Sequence, residues 1–175
     1  MFLDVHELYA RKQYMTCILN IAQAYEAFFS LYLRVEILFK PFAVDQNKLN
    51  NLLDTLSKSR YTFDPLCAIS LQMVVDDASP RNLTEAATAL SDLSAKPSKP
   101  KRDALNSVKD SKLREHLKAI YDTKIHVTRN RVVHDRAYRP TREEVEMAYT
   151  EASETLCALT ERLNLCDDIE YYNKT

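Results

Sequence analysis

The chain has 175 residues, 46% of them hydrophobic and 28% charged, which fits one globular domain burying roughly two-thirds of its unfolded surface and excludes a disordered chain. It contains no glycine, so the left-handed turns of a phosphate-cradling or dinucleotide-binding loop lack their usual residue, and tight β-hairpins become hard to build. The net charge of -1 hides an asymmetry: Lys96 to Arg142 holds 14 Lys and Arg against 5 Asp and Glu, which leaves 10 against 20 elsewhere; this is either a face for an anionic partner or a solvated basic stretch answered by acidic helices.

At the N-terminus, Asp4 and Glu7 stand where a signal peptide needs a basic end and an apolar run. The longest uncharged stretch, Gln13 to Tyr25, is too short to span a bilayer, so a cytoplasmic protein is expected. Ile18, Ile21, Tyr25, Phe28, Tyr32, Val35 and Phe39 recur in steps of three and four and predict a long first helix, ended by Pro41. A short helix is expected next, capped by Asp45, with Leu49, Leu52, Leu53 and Leu56 inward. Asp64-Pro65 predicts the start of a helix carrying Leu66, Ile69 and Met73. Ser79-Pro80 and the pair Asn82 and Glu85 compete to start another, with Leu83, Ala86, Leu90 and Leu93 as its seam.

Residues 95–101 read as a polar, proline-broken linker. One helix is then expected from about 103 to 134, with Leu113, Leu117, Ile120, Tyr121, Ile125 and Val132 inward. Pro140 breaks the chain, and Thr141 with Glu144 predicts a capping box for the last helix, whose seam is Val145, Tyr149, Ala152, Leu156, Leu159 and Leu163. No strand-like alternation of useful length appears. The expectation is an all-α, up-and-down bundle of four to six helices over residues 1–165, followed by a polar tail at 166–175. Cys17, Cys67, Cys157 and Cys166 lie far apart with no C-x-x-C pair, so buried reduced thiols and no metal site or cofactor are expected.

Residues 126–139 read His-Val-Thr-Arg-Asn-Arg-Val-Val-His-Asp-Arg-Ala-Tyr-Arg. A metal-free ribonuclease must deprotonate a ribose 2′-OH, stabilise a phosphorane and protonate the leaving 5′-oxygen. Histidine suits the proton steps, and arginine, always charged and fork-shaped, suits the phosphate oxygens. Arg129, Asn130 and His134 place both residue types at the end of a long helix, just before the last one.

Arg129-Asn130 followed by His134 resembles the R-x4-H motif of the HEPN superfamily, in which it also lies near the end of the penultimate long helix. The Ala-Tyr-Glu-Ala-Phe-Phe core around Glu26 is similar to the family's first helix, and the likeness spans about residues 10–163. The resemblance implies a metal-independent endoribonuclease, a toxin or defence effector, with RNA as substrate and an antitoxin as a further partner. It also implies a homodimer in which two motifs share a cleft: on an ideal helix Arg129 lies about 140° from His134, while Asn130 is its i,i+4 neighbour. By resemblance, Arg129 would hold the scissile phosphate, His134 would act as acid or base, and Asn130 would orient the imidazole or touch RNA. The alternative is a non-catalytic HEPN-like module that binds RNA, a nucleotide or a protein.

Arg131, Arg136 and Arg139, with Arg142, are candidates to track an RNA backbone, which makes binding salt-dependent. His126, one turn before Asn130, either extends the polar face or stands in solvent. Glu26 is read either as a partner of the motif helix or as a solvent-facing or dimer-rim carboxylate. Some family members carry a regulatory tyrosine two residues after the histidine; position 136 is Arg here, and Tyr138 is the substitute to consider. The other aromatic residues lie on helix seams and are expected in the core.

Overall fold

The computed structural model describes residues 3–42, 47, 51–52, 63–75 and 78–165. The three-and-four spacing of the first seam becomes the inward face of α2 (Tyr14–Tyr32), and every seam residue is buried except Phe39, which is half-buried. The helix continues past Tyr32 as a π-helix (Leu33–Phe39) and one further α-turn (Lys40–Phe42). Pro41 therefore sits inside the last turn instead of ending the helix before it. In a regular α-helix a proline ring collides with the carbonyl four residues back; the π-helix just upstream, where Lys40 N–H donates to the Val35 carbonyl, departs from that regular geometry.

A helix that the seam did not announce precedes it, α1 (Leu3–Ala10). It ends in a Schellman turn: Gln13 N–H donates to the Leu8 carbonyl and Lys12 N–H to that of Tyr9, each at 2.9 Å. The pattern needs a left-handed residue, and in a chain without glycine Lys12 takes it at φ 58°, at a cost of about 1 kcal/mol.

α3 (Phe63–Val74) begins one residue before the expected Asp64, which together with Pro65 occupies its first turn. Glu26, half-buried, supplies a cap from α2, its Oε1 accepting from the Phe63 N–H at 3.0 Å, a role that the sequence did not announce. α4 (Leu83–Ala95) takes Asn82, not Ser79, as its cap, the side chain accepting from Glu85 N–H at 3.0 Å while the Glu85 carboxylate reaches back to Arg81 N–H at 2.8 Å. Residues 96–101 have no regular structure, and Pro100 is nevertheless buried.

The single helix expected over 103–134 is three pieces: a 3-10 helix (Arg102–Ser107), α5 (Ser111–Asp122) and α6 (Ile125–His134). Asp110 starts α5 by accepting from the N–H groups of Lys112 and Leu113, and the Arg162 guanidinium bonds the same carboxylate, tying α5 to the end of the last helix. Thr123 separates α5 from α6. Its extended backbone leaves the helical region, and its Oγ1 accepts from the Ile125 N–H at 3.3 Å, a local bond that competes with the helix ladder. α7 (Arg142–Arg162) starts with both halves of the Thr141 and Glu144 capping box in place. It is followed by left-handed Asn164, the non-glycine residue that tolerates that conformation best.

α2 lies in the middle, with α1, α3, α6 and α7 against it, α4 on α3, and α5 against α7. One apolar cluster runs from Val5 to Leu165 and contains Tyr25, Phe28, Phe29 and Phe63, each large side chain contributing roughly 1.5–3 kcal/mol by its burial. The fold is an all-α bundle. Among the described residues there are seven α-helices of eight or more residues and no strand; α1 and the division of 103–134 carry the number past the four to six expected. No helix among them is long and apolar enough to cross a membrane.

Cys17 and Cys67 are buried as expected, and burial pushes the Cys67 thiol up to about 12, so it stays protonated. Cys157 is exposed instead, one position off the α7 seam, and Cys166 lies outside the described residues. So does most of the helix expected behind Asp45.

Candidate functional site

α6 carries the motif, and its two faces have opposite characters. Ile125 and Val132 are buried and seat the helix on α2. Val127, Asn130, Arg131 and His134 follow at i, i+3, i+4 and i+7, which makes one stripe on the other side. With Asp135 they line an open depression of about 430 Å3. Val127 and Val133 are apolar side chains left 46% and 49% exposed beside it, and Met147 on α7 is 73% exposed.

His134 is the last residue of α6 and is exposed. The helix stops there because Asp135 turns the chain: its Oδ1 accepts from Ala137 N–H at 2.9 Å, and its carbonyl accepts from Tyr138 N–H at 3.1 Å. This positions the imidazole at the rim of the depression. Arg129 is half-buried and does not belong to the stripe; its Nη1 donates to Asn130 Oδ1 at 3.0 Å. One chain thus brings Asn130 and His134 together, and joins Arg129 to them only through Asn130.

The basic residues expected to follow RNA are less free than the sequence suggests. The Arg131 guanidinium lies 3.7 Å above the Tyr138 ring and 4.0 Å from the Glu144 carboxylate. Arg139 folds back on its own loop, Nη1 donating to the carbonyls of Arg136 and Tyr138 at 2.9 and 2.8 Å. Arg136 is exposed. Arg142 bonds the Tyr9 hydroxyl at 2.7 Å and Glu146 at 3.0 Å.

Tyr138 is 8% exposed, with its hydroxyl covered and lacking a hydrogen bond of normal geometry. Burial first, then the neighbouring Glu144 carboxylate, push its phenol up. A buried ring under a guanidinium is closed to a modifying enzyme, which removes it as a substitute for the regulatory tyrosine.

His126 neither joins the exposed stripe nor stands in solvent. Its ring stacks on Phe63 with centroids 5.4 Å apart, its Nε2 lies 3.8 Å from Asp64, and its Nδ1 is buried. Burial lowers its pKa, opposed by Asp64 and assisted by Lys99 and Lys124.

The chain matches no protein-family model, no curated protein and no solved structure. Chemistry must therefore be argued from the residues. Among those described, no three His, Cys, Asp or Glu side chains converge where they could hold a metal ion. What α6 offers is an accessible imidazole, an amide beside it, the Arg131 guanidinium on the same stripe and that of Arg129 bonded to the amide. Sequence reasoning passed over Val127, Asp135 and Glu144. The signal for Asp135 was available, since an Asp directly after a helix is a turn former; Glu144 was read only as a cap, yet it also faces Arg131.

Proposed function

We propose that the chain is a metal-independent endoribonuclease of HEPN type, acting as a homodimer through the exposed face of α6. The observation that carries the reading is the joint placement of Asn130 and His134 in one open depression, with Arg129 bonded to Asn130. His134 transfers protons to and from the ribose 2′-oxygen and the leaving 5′-oxygen. Arg129 neutralises the phosphorane, and Asn130 holds the guanidinium near the imidazole stripe.

Two features favour a second copy as the missing half. Arg129 and His134 point apart on a single helix by about 140°, so a single chain presents the acid–base group without the cation facing it. Val127 and Val133 border the motif with nearly half their surface in water, which a self-contact would cover. The 14 basic residues against 5 acidic ones over Lys96 to Arg142 supply the counter-charge for an RNA backbone. A toxin or defence role with an antitoxin partner, and a cytoplasmic location, accompany this reading.

The test is incubation of purified protein with RNA in EDTA, beside His134→Ala and Arg129→Ala. Wild type should yield products ending in 2′,3′-cyclic phosphate. Loss of His134 should slow cleavage by about 10²–10⁴-fold, and loss of Arg129 by about 10²–10³-fold. Salt-sensitive RNA binding without product, unchanged in His134→Ala, would instead establish the non-catalytic binding module.

A further inference from the structure

A second concavity lies between α1 and the start of α7, and nothing in the catalytic reading uses it. It encloses about 180 Å3, somewhat more than the ~150 Å3 in which a buried apolar cavity takes up benzene. Val5 and Val145, both buried, form its floor. Three rings stand around it: His6, Tyr9 and Tyr149. His6 and Tyr149 meet edge to face with centroids 5.0 Å apart, and the Tyr149 hydroxyl is 2.8 Å from His6 Nε2. Glu146 completes the rim.

The polar part of the rim has a fixed sense. Tyr9 donates to Glu146 Oε1, and the Arg142 Nε reaches both the Tyr9 oxygen (2.7 Å) and Oε1 (3.0 Å). Those bonds hold the Glu146 carboxyl below its ordinary range, so it is ionised and only accepts. They use two of the roughly four lone-pair sites of the carboxylate. A ligand for this place needs a flat ring for the aromatic walls and adjacent N–H donors on its edge for the carboxylate.

We infer that the pocket between α1 and α7 is a subsite for one unstacked nucleobase, and that guanine fits it best. The Tyr9 and Arg142 bonds both fall on Oε1, so Oε2 keeps its lone pairs, and guanine presents a ring N–H and an exocyclic amine side by side, both within reach of one such oxygen; the other bases offer this edge fewer donors. Stacking on one of the three rings, with the others against the base edge, supplies the affinity, and Glu146 the selectivity. The first turns of α7 connect the two sites, with Glu144 facing Arg131 of the motif helix and Arg142 and Glu146 facing α1. The inference deepens the ribonuclease reading, since it rests on that reading for the source of the base, RNA, but the pocket's affinity for a base can be measured without cleavage.

The experiment is titration of the full chain with guanosine, inosine, adenosine and uridine, followed through backbone amide NMR shifts. Guanosine should give saturable shifts centred on Val5, His6, Tyr9, Val145 and Tyr149. Inosine, which lacks the exocyclic amine, should bind about ten-fold more weakly. Tyr149→Leu keeps an apolar side chain on the α7 seam and should weaken all nucleosides by at least about five-fold. Glu146→Gln should abolish the preference for guanosine over inosine. Circular dichroism matching wild type shows that both variants fold. No saturable shift with any nucleoside, shifts centred elsewhere, or guanosine binding unchanged in both variants would overturn the assignment. RNA cleavage without nucleoside binding defeats this inference alone, and nucleoside binding without cleavage defeats the ribonuclease alone.

Discussion

His126 shows how much a single residue's role depends on what folds against it. Its position one turn before Asn130 suggested an exposed polar stripe, yet α3 brings Phe63 and Asp64 to its ring from more than sixty residues away. No local pattern encodes that contact. Its lowered pKa has a consequence for stability with a definite sign. Between the ordinary imidazole pKa near 6.5 and the lower folded value, the unfolded chain binds a proton that the folded chain refuses. Stability is therefore fully present above about 6.5 and is lost as pH falls through the folded value. Asp64 limits the loss by favouring the protonated ring, and Lys99 and Lys124 add to it. His126→Gln should flatten this part of the curve, read as the shift in urea midpoint between pH 7.5 and 5. An equal shift in wild type and variant would contradict it. Glu26 carries the same lesson. It is visible as a carboxylate on an apolar helix face, and only the fold reveals that it caps a helix thirty-seven residues later.

At the scale of elements, what was legible in the sequence is what is local. The α2 seam, the Asn82 cap and the Thr141 and Glu144 box are all set by residues within a few positions of one another, and they stand where the spacing puts them. The break at Thr123 was not legible, because neither glycine nor proline marks it. Its hydroxyl accepts from Ile125 N–H, and its side chain is buried in the bundle. The local hydroxyl bond and the burial of Thr123 fix the break together. α1 is eight residues long, too short to be stable alone, and it stands because Val5 is buried in the shared core. The turn after it leads to a prediction. Lys12 holds a left-handed conformation that glycine adopts without steric cost. Lys12→Gly should raise unfolding stability by up to about 1 kcal/mol, seen as a higher urea midpoint at unchanged m-value. A lower midpoint would mean that the lysine side chain matters more than its backbone.

At the scale of the whole molecule, the motif helix lies on the outside of the bundle with its apolar flank exposed. α6 is the helix before the last one, and the proposed function pairs it with a second copy. If Val127 and Val133 form the contact, Val133→Asp should leave the helical content unchanged, shift sedimentation from dimer to monomer, and reduce RNA cleavage in parallel. A variant that remains dimeric, or a monomer that cleaves at the wild-type rate, would remove α6 as the contact.

The central claim is that an imidazole from one copy and a guanidinium from the other meet across that contact. Arg129→Ala and His134→Ala should each cut RNA at least about a hundred-fold more slowly by themselves. Mixed and allowed to exchange subunits, they should recover cleavage, because the mixed dimer contains one intact Arg129 facing one intact His134. A mixture as slow as its parts, or either variant cutting at the wild-type rate alone, would contradict the account.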